Sequence, residues 1–344
     1  MIGAVLRELN KPFTINKLNY DNLTYGQVLI SVKSSGICGR QIQEINGSKG
    51  PDKFLPHLMG HEGGGVVLKV GDGVSKVNVG DHVVMHWRVS KGIESRYPNY
   101  TDEDKIKIGG GLVTTFNSEA IVSENRITKV SKELPFKIGA LLGCSLTTAL
   151  GLVNNEAKIK IGQSAMVIGC GSIGASVLQA LKMVSSYPIV SVDISQEKLE
   201  FSKKFGSDYS IIYNDNFDNK CKSYFGSSGP DVIIETSGNP DVISKCYSIL
   251  APRGKLIMVG QPKFDQDVRL LNIAKNFSGK QILDSTGGRT SPDDDIPRYE
   301  RLIKSGKIDF EKIITNYYNI KKINLAISDI AKGKVLGKSI IDFE

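Results

Sequence analysis

The chain has 344 residues, five cysteines and a formal net charge of +8. That length allows two domains with cores of their own, and no apolar run approaches the length of a membrane span. The lysines are scattered, often beside Asp or Glu, and form no Lys/Arg run of nucleic-acid type, so a nucleic-acid role is set aside; a mild positive field would also attract an anionic dinucleotide.

The start, Met1-Ile2-Gly3-Ala4-Val5-Leu6-Arg7-Glu8, meets charge too soon for a signal peptide and reads as a first strand, so the expected location is the cytoplasm. Residues 1 to about 130 are β-rich, with strands predicted at Gln27 to Lys33, Gly64 to Val70, His82 to His86 and Ser118 to Val122 between glycine-rich turns. Arg88 to Gly110 is polar and reads as a long surface loop. Lys132 to Asn155 holds Pro135 and two short helix-like segments, a bridge to the second half of the chain. From there the rhythm changes to strand, turn, helix. Apolar strands are predicted at Ala165 to Ile168, Ile189 to Val192, Val232 to Ile234 and Leu256 to Val259, the pattern of a parallel sheet with crossover helices. After Gly287-Gly288, helices are predicted near Ile296 to Lys304 and Ile323 to Lys332. The short strand Lys338 to Asp342 is expected to return to the first domain.

Gly169-Cys170-Gly171-Ser172-Ile173-Gly174 follows one of these strands and opens a helix, and Asp193 ends the next strand about 20 residues on. This is the context a dinucleotide site requires. The glycines allow a tight turn and close approach to the pyrophosphate, whose charge sits on the helix N-terminus. A carboxylate at Asp193 would accept from the adenosine ribose hydroxyls and repel a 2′-phosphate, which favours NAD over NADP; the other reading is that it caps the helix near Gln196. Lys198 either reaches the ribose or faces solvent.

The cysteines show no disulfide framework and no CxxC pair. Cys221 and Cys246 read as ordinary half-buried residues, and Cys170 fills a small-residue position in the glycine loop. Cys38, in Gly36-Ile37-Cys38-Gly39, His61, in Gly60-His61-Glu62, and Cys144, about 25 residues before the glycine loop, together suggest one zinc site near a nicotinamide. Two thiolates and one imidazole leave a tetrahedral zinc one open position, the mark of a catalytic site. Taken singly, each of the three is as readily a core cysteine or a satisfied histidine.

These segments, with Val79-Gly80-Asp81-His82-Val83, Thr148 four residues after Cys144, and the ending Gly333 to Ile341, resemble in order and spacing a zinc-dependent medium-chain dehydrogenase of the alcohol dehydrogenase family over nearly the full length. The resemblance implies an α/β protein with a GroES-like β-rich catalytic domain over 1–150, completed by 286–344, and a doubly wound Rossmann NAD-binding domain over 151–285. It implies Cys38, His61 and Cys144 as zinc ligands, Glu62 as a carboxylate that approaches the metal, and Thr148 against the nicotinamide. The implied activity is zinc-dependent, NAD-linked interconversion of an alcohol and its aldehyde or ketone in a homodimer or homotetramer, the Rossmann sheets joining edge to edge.

Three departures from the family pattern stand out. The stretch Arg88 to Gly110 has no cysteine, so no structural zinc is expected. Arg40 stands where relatives carry a proton-relaying Ser or Thr; an arginine has no acceptor and stays charged. It either grips a substrate carboxylate, a phosphate or the cofactor pyrophosphate, or points to solvent. Gln41 replaces a common Asp, its amide oxygen still able to accept from the zinc histidine, and Gln43 stands where some relatives have a relaying His. The proton then leaves through water or through His57 or His86, although a structural role is favoured for both. Trp87 is either an aromatic wall of the alcohol pocket or a core residue. The polar stretch after it points to a polar alcohol such as a sugar, a polyol or a phosphorylated compound. Two rival readings are a zinc-free quinone or alkene reductase of the same fold and a non-catalytic NAD-binding sensor.

Overall fold

The computed structural model describes residues 1–271, 273–274 and 276–343. The chain divides into two compact units, one formed by Met1–Thr147 with Ser291–Glu344 and the other by Thr148–Thr290.

The first unit is built on two sheets. A six-stranded sheet runs Thr14–Lys17, Ile2–Leu6, His57–Leu58, Lys107–Gly109, Asn99–Thr101, Asn19–Tyr20. The second runs Ile127–Val130, His82–His86, Glu62–Val70, Gln27–Gly36, Lys338–Asp342, Ile314–Asn319, with Glu119–Ser123 also paired to Gln27–Gly36. Gln27–Gly36 is the axis of this sheet, and its alternating Val28, Ile30 and Val32 pack with Val67, Val83, Met85 and Val122 in the core. The final strand lies antiparallel to it, with Ile341 opposite Ser35. Its Ile341 shares a cluster with Leu6, Ile37, Phe116 and Ile323, so the chain's two ends meet in one core.

The stretch expected as a surface loop is more ordered than its polarity suggested. Asn99–Thr101 and Lys107–Gly109 pair as an antiparallel hairpin, and Tyr100 and Ile108 are fully buried. The earlier part is pinned by charge. Glu124 accepts from the backbone N–H groups of Ser75, Lys76 and Ile93 at 2.6, 2.7 and 2.9 Å, and Glu94 pairs with Arg126 at 3.0 Å.

The second unit is a parallel six-stranded sheet in the order Tyr209–Ile212, Ile189–Asp193, Ala165–Ile168, Val232–Glu235, Lys255–Met258, Gln281–Asp284. Reading the strands in chain order gives 3-2-1-4-5-6, the doubly wound Rossmann arrangement. The central strands are buried on both faces, which is why they read as continuous apolar runs. Cys221 and Cys246 belong to this core and are buried rather than half-buried; burial pushes the Cys221 thiol up to about 12 and that of Cys246 well above the ordinary range. Among the described residues no single helix is long and apolar enough to cross a membrane.

Candidate metal centre and dinucleotide loop

The first unit brings Cys38, His61 and Cys144 together. Cys38 leaves the end of Gln27–Gly36 and precedes the short helix Gly39–Ile45. His61 sits just ahead of Glu62–Val70, a neighbour of that strand in the same sheet. Cys144 follows the helix Phe136–Leu142 in a turn that must press onto this sheet. A Cβ on Gly143 would lie 2.3 Å from the Met85 carbonyl and 2.9 Å from the Glu62 Cα, so only glycine lets the turn come that near. As a result one ligand atom from each of the three side chains lies within 4.8 Å of the other two.

The electrostatics of the trio follow from its crowding. The hydrogen bond from Cys38 brings the Cys144 thiol down to about 7 against the opposing effect of burial, with Arg88 and Lys338 assisting. The same hydrogen bond, with burial, drives Cys38 up. Desolvation opposes charge on His61, but Cys38 beside it raises the imidazole's pKa overall. Half-buried Cys38 and His61 with buried Cys144 make the donor set a tetrahedral zinc takes, one position short of closed. The residues fit the metal the sequence implied.

Glu62 stands outside this set. Its carboxylate is fully buried and already engaged: one oxygen pairs with Lys338 and the other accepts from the Ser145 N–H and Oγ at 3.2 and 3.1 Å. It is an anchor under the turn that carries Cys144, not a fourth converging ligand. Gln41 also differs from expectation. Its amide oxygen accepts the Cys38 backbone N–H at 2.8 Å instead of a ring N–H of His61, and so fixes the backbone at the first ligand.

Neither candidate relay histidine is free to serve. His86 is fully buried, its ring nitrogens held by the Arg88 carbonyl at 2.8 Å and Thr128 Oγ1 at 3.0 Å. Burial lowers its pKa to about 3, so it remains neutral. It is therefore a structural residue and no substrate contact. His57 lies in a strand, with its ring nitrogens 2.8 Å from the Leu58 carbonyl and 2.8 Å from Asp52.

Arg88 is a site residue that the sequence pattern did not single out. Its guanidinium is buried, donates to Thr147 Oγ1 at 3.0 Å and the Gly143 carbonyl at 3.4 Å, and lies 4.7 Å from the centre of the half-buried Trp87 ring. Burial lowers its pKa, and the Cys144 and Glu62 charges work against that. It therefore braces both ends of the Cys144 turn. The only available signal was its place next to the chain's single tryptophan. Arg40, by contrast, is half-buried on the helix after Cys38.

The second unit holds the glycine loop. Gly169 has φ +88°, and a Cβ on Gly174 would lie 2.0 Å from the Gly169 carbonyl, so the helix Ser172–Met183 packs where a side chain cannot fit. Around Gly171 a Cβ would meet open space, with Ser172 and Ile173 opening the helix. Asp193 does not cap the next helix, because Ser195 does. Its two oxygens accept instead from the Cys170 N–H at 2.8 Å and the Ser195 N–H at 2.9 Å, which ties the glycine loop to the end of the neighbouring strand. Lys198 is half-buried on the helix Gln196–Lys203, and Thr148 is buried at the head of this unit.

Two family models match the chain: the alcohol dehydrogenase GroES-like domain over residues 24–132 and the zinc-binding dehydrogenase domain over residues 172–305. An alcohol dehydrogenase class-3 of Cereibacter sphaeroides is 26% identical over 99% of both chains. An S-(hydroxymethyl)glutathione dehydrogenase of Paracoccus denitrificans is 26% identical over 94% of both. The crystal structure of benzyl alcohol dehydrogenase from Acinetobacter calcoaceticus superposes with a TM-score of 0.89 at 25% identity, covering 100% of this chain and 99% of that one. The chain is a member of the zinc-dependent medium-chain alcohol dehydrogenase family, an oxidoreductase of alcohols and aldehydes.

Proposed function

We propose that the chain is an NAD-dependent dehydrogenase with one catalytic zinc, held by Cys38, His61 and Cys144, that interconverts a polar alcohol and its aldehyde or ketone. The observation that carries this reading is the convergence of those three donors within 4.8 Å. When bound, zinc would supply the Lewis acidity that lowers an alcohol's pKa toward neutrality, and NAD would accept the hydride. The protein's own part is to orient and to exclude water. Gln41 fixes the Cys38 backbone, Arg88 and Glu62 fix the Cys144 turn, and Trp87 offers an aromatic wall. Arg40 cannot accept a proton, and both relay histidines have their nitrogens engaged, so the alcohol proton leaves to water.

NAD would lie on Gly169, Gly171, Ser172, Ile173 and Gly174, with its adenosine ribose on Asp193 and Lys198 and its nicotinamide against Thr148. Ile194, 81% exposed, adds no positive charge for a 2′-phosphate. The first unit is then the catalytic domain and the second the cofactor domain. The strand Gln281–Asp284 ends its sheet, and an edge-to-edge homodimer or homotetramer would form there. The chain would work in the cytoplasm.

The test is metal content together with NADH formation. Purified protein should carry one zinc per chain and form NADH with an alcohol, and Cys38→Ser should lose both. Far less than stoichiometric zinc with retained turnover of quinones or alkenes would favour the zinc-free reductase. NAD binding with no turnover across a broad alcohol and aldehyde panel would favour the sensor.

A further inference from the structure

Arg40 stands two residues after Cys38, half-buried, and among the described residues it donates no hydrogen bond and joins no ion pair. A guanidinium taken partly out of water normally finds an acceptor for some of its five N–H groups. Its surroundings explain why none is at hand. Glu44, the nearest carboxylate on the same helix, is paired with Lys49. Arg40 and Glu44 stand four residues apart on one face of the helix Gly39–Ile45, so two cations meet one carboxylate there and one positive charge is left without a partner. An anion placed there would relieve the repulsion and occupy the fork.

We propose that Arg40, with Lys49 behind it, forms a subsite for an anionic group, a carboxylate or phosphate monoester, on an alcohol whose hydroxyl reaches the Cys38–His61–Cys144 centre. This rests on the dehydrogenase reading and adds the substrate class. The planar guanidinium fork matches carboxylate and phosphate oxygens two at a time, whereas an ammonium offers only a point charge. Lys49, held by Glu44, contributes field more than contact.

The experiment compares matched alcohols in the zinc-loaded full chain with NAD: benzyl alcohol against 4-(hydroxymethyl)benzoate, and glycerol against glycerol 3-phosphate. The readout is the ratio of kcat/KM, anionic over neutral. We expect at least one pair to favour its anionic member by about 10-fold or more, the size of a charge-assisted contact. Arg40→Gln should bring the ratio toward one, Arg40→Lys should restore part of it, and Lys49→Gln should lower it less. A wild-type ratio of one or below in both pairs, or a ratio that Arg40→Gln does not move, overturns the subsite. If Arg40→Gln instead weakens NADH binding, followed by fluorescence, with the ratio unmoved, the anion is the cofactor's pyrophosphate and the substrate assignment is wrong.

Calorimetric titration of the zinc-loaded, cofactor-free chain with inorganic phosphate and with 4-(hydroxymethyl)benzoate separates this from the dehydrogenase reading. Binding that Arg40→Gln abolishes, in a protein that oxidises no alcohol, sustains the anion site and sinks only the catalytic reading. Turnover of neutral alcohols with no binding of either anion sinks only the subsite.

Discussion

Glu62 and Lys338 lie 276 residues apart in the chain and form an ion pair with side chains 0% and 2% exposed. The pair joins the strand that follows His61 to the last strand of the sheet. Ser145 occupies the other carboxylate oxygen, so the same pair also holds the turn carrying Cys144.

Removing one partner would leave a buried charge uncompensated. Lys338→Met should therefore cost about 3–5 kcal/mol, while a double replacement, Glu62→Leu with Lys338→Met, should recover much of that because no charge remains. Urea unfolding of the three proteins measures it. A loss in the single variant no larger than a surface pair gives, about 0–1 kcal/mol, would show that the pair is not buried in solution.

His86 gives the protein a predictable sensitivity to acid. Its folded-state pKa is pulled down to about 3 by burial, whereas the unfolded chain takes up the proton near pH 6.5. Its contribution is therefore complete above about pH 6.5 and is lost as pH falls toward the folded value. Between pH 7.5 and 5, wild type should lose about 2 kcal/mol more than His86→Gln, at roughly 1.4 kcal/mol per pH unit for one proton. Parallel stability curves for the two proteins would show that His86 is protonated in the fold.

The sequence made the Rossmann rhythm legible because its inner strands are covered on both faces and run apolar up to the buried Glu235 that ends Val232–Glu235. The outer strands Tyr209–Ile212 and Gln281–Asp284 were missed for the opposite reason, since their exposed residues break the apolar run. The metal ligands were legible through their local contexts; Cys38 and His61 converge because they flank adjacent strands of one sheet, and Cys144 because Gly143 lets its turn press onto that sheet. The hairpin inside residues 88–110 was not, because three-residue strands carry no periodicity. Pairings such as Glu62 with Lys338 depend on register across the whole sheet, which residue types alone do not encode.

Arg88 should act through Cys144 rather than on substrate. Without its donors to Thr147 and the Gly143 carbonyl, the turn loosens, and residues that brace a ligand typically change metal affinity by about 10–100-fold. Arg88→Met should weaken zinc binding by that order in a chelator competition. Trp87 is the only tryptophan, so loss of the stacked guanidinium should also shift the protein's fluorescence. Unchanged zinc affinity together with shifted emission would confine Arg88 to packing.

Asp193 carries two tasks that one substitution pair can separate. Its carboxylate holds the Cys170 N–H of the glycine loop, and in the proposed complex its charge also selects NAD by repelling a 2′-phosphate. Asp193→Asn keeps an acceptor for the loop N–H but removes the charge, so it should narrow the preference for NAD over NADP while leaving the loop in place. Asp193→Ala removes both, and should raise KM for NAD by a further factor of about 5–10, the order of one lost neutral hydrogen bond. Equal effects of the two variants on KM would mean that the tie to Cys170 contributes nothing to cofactor binding. An unaltered cofactor preference in both would remove Asp193 from the ribose altogether.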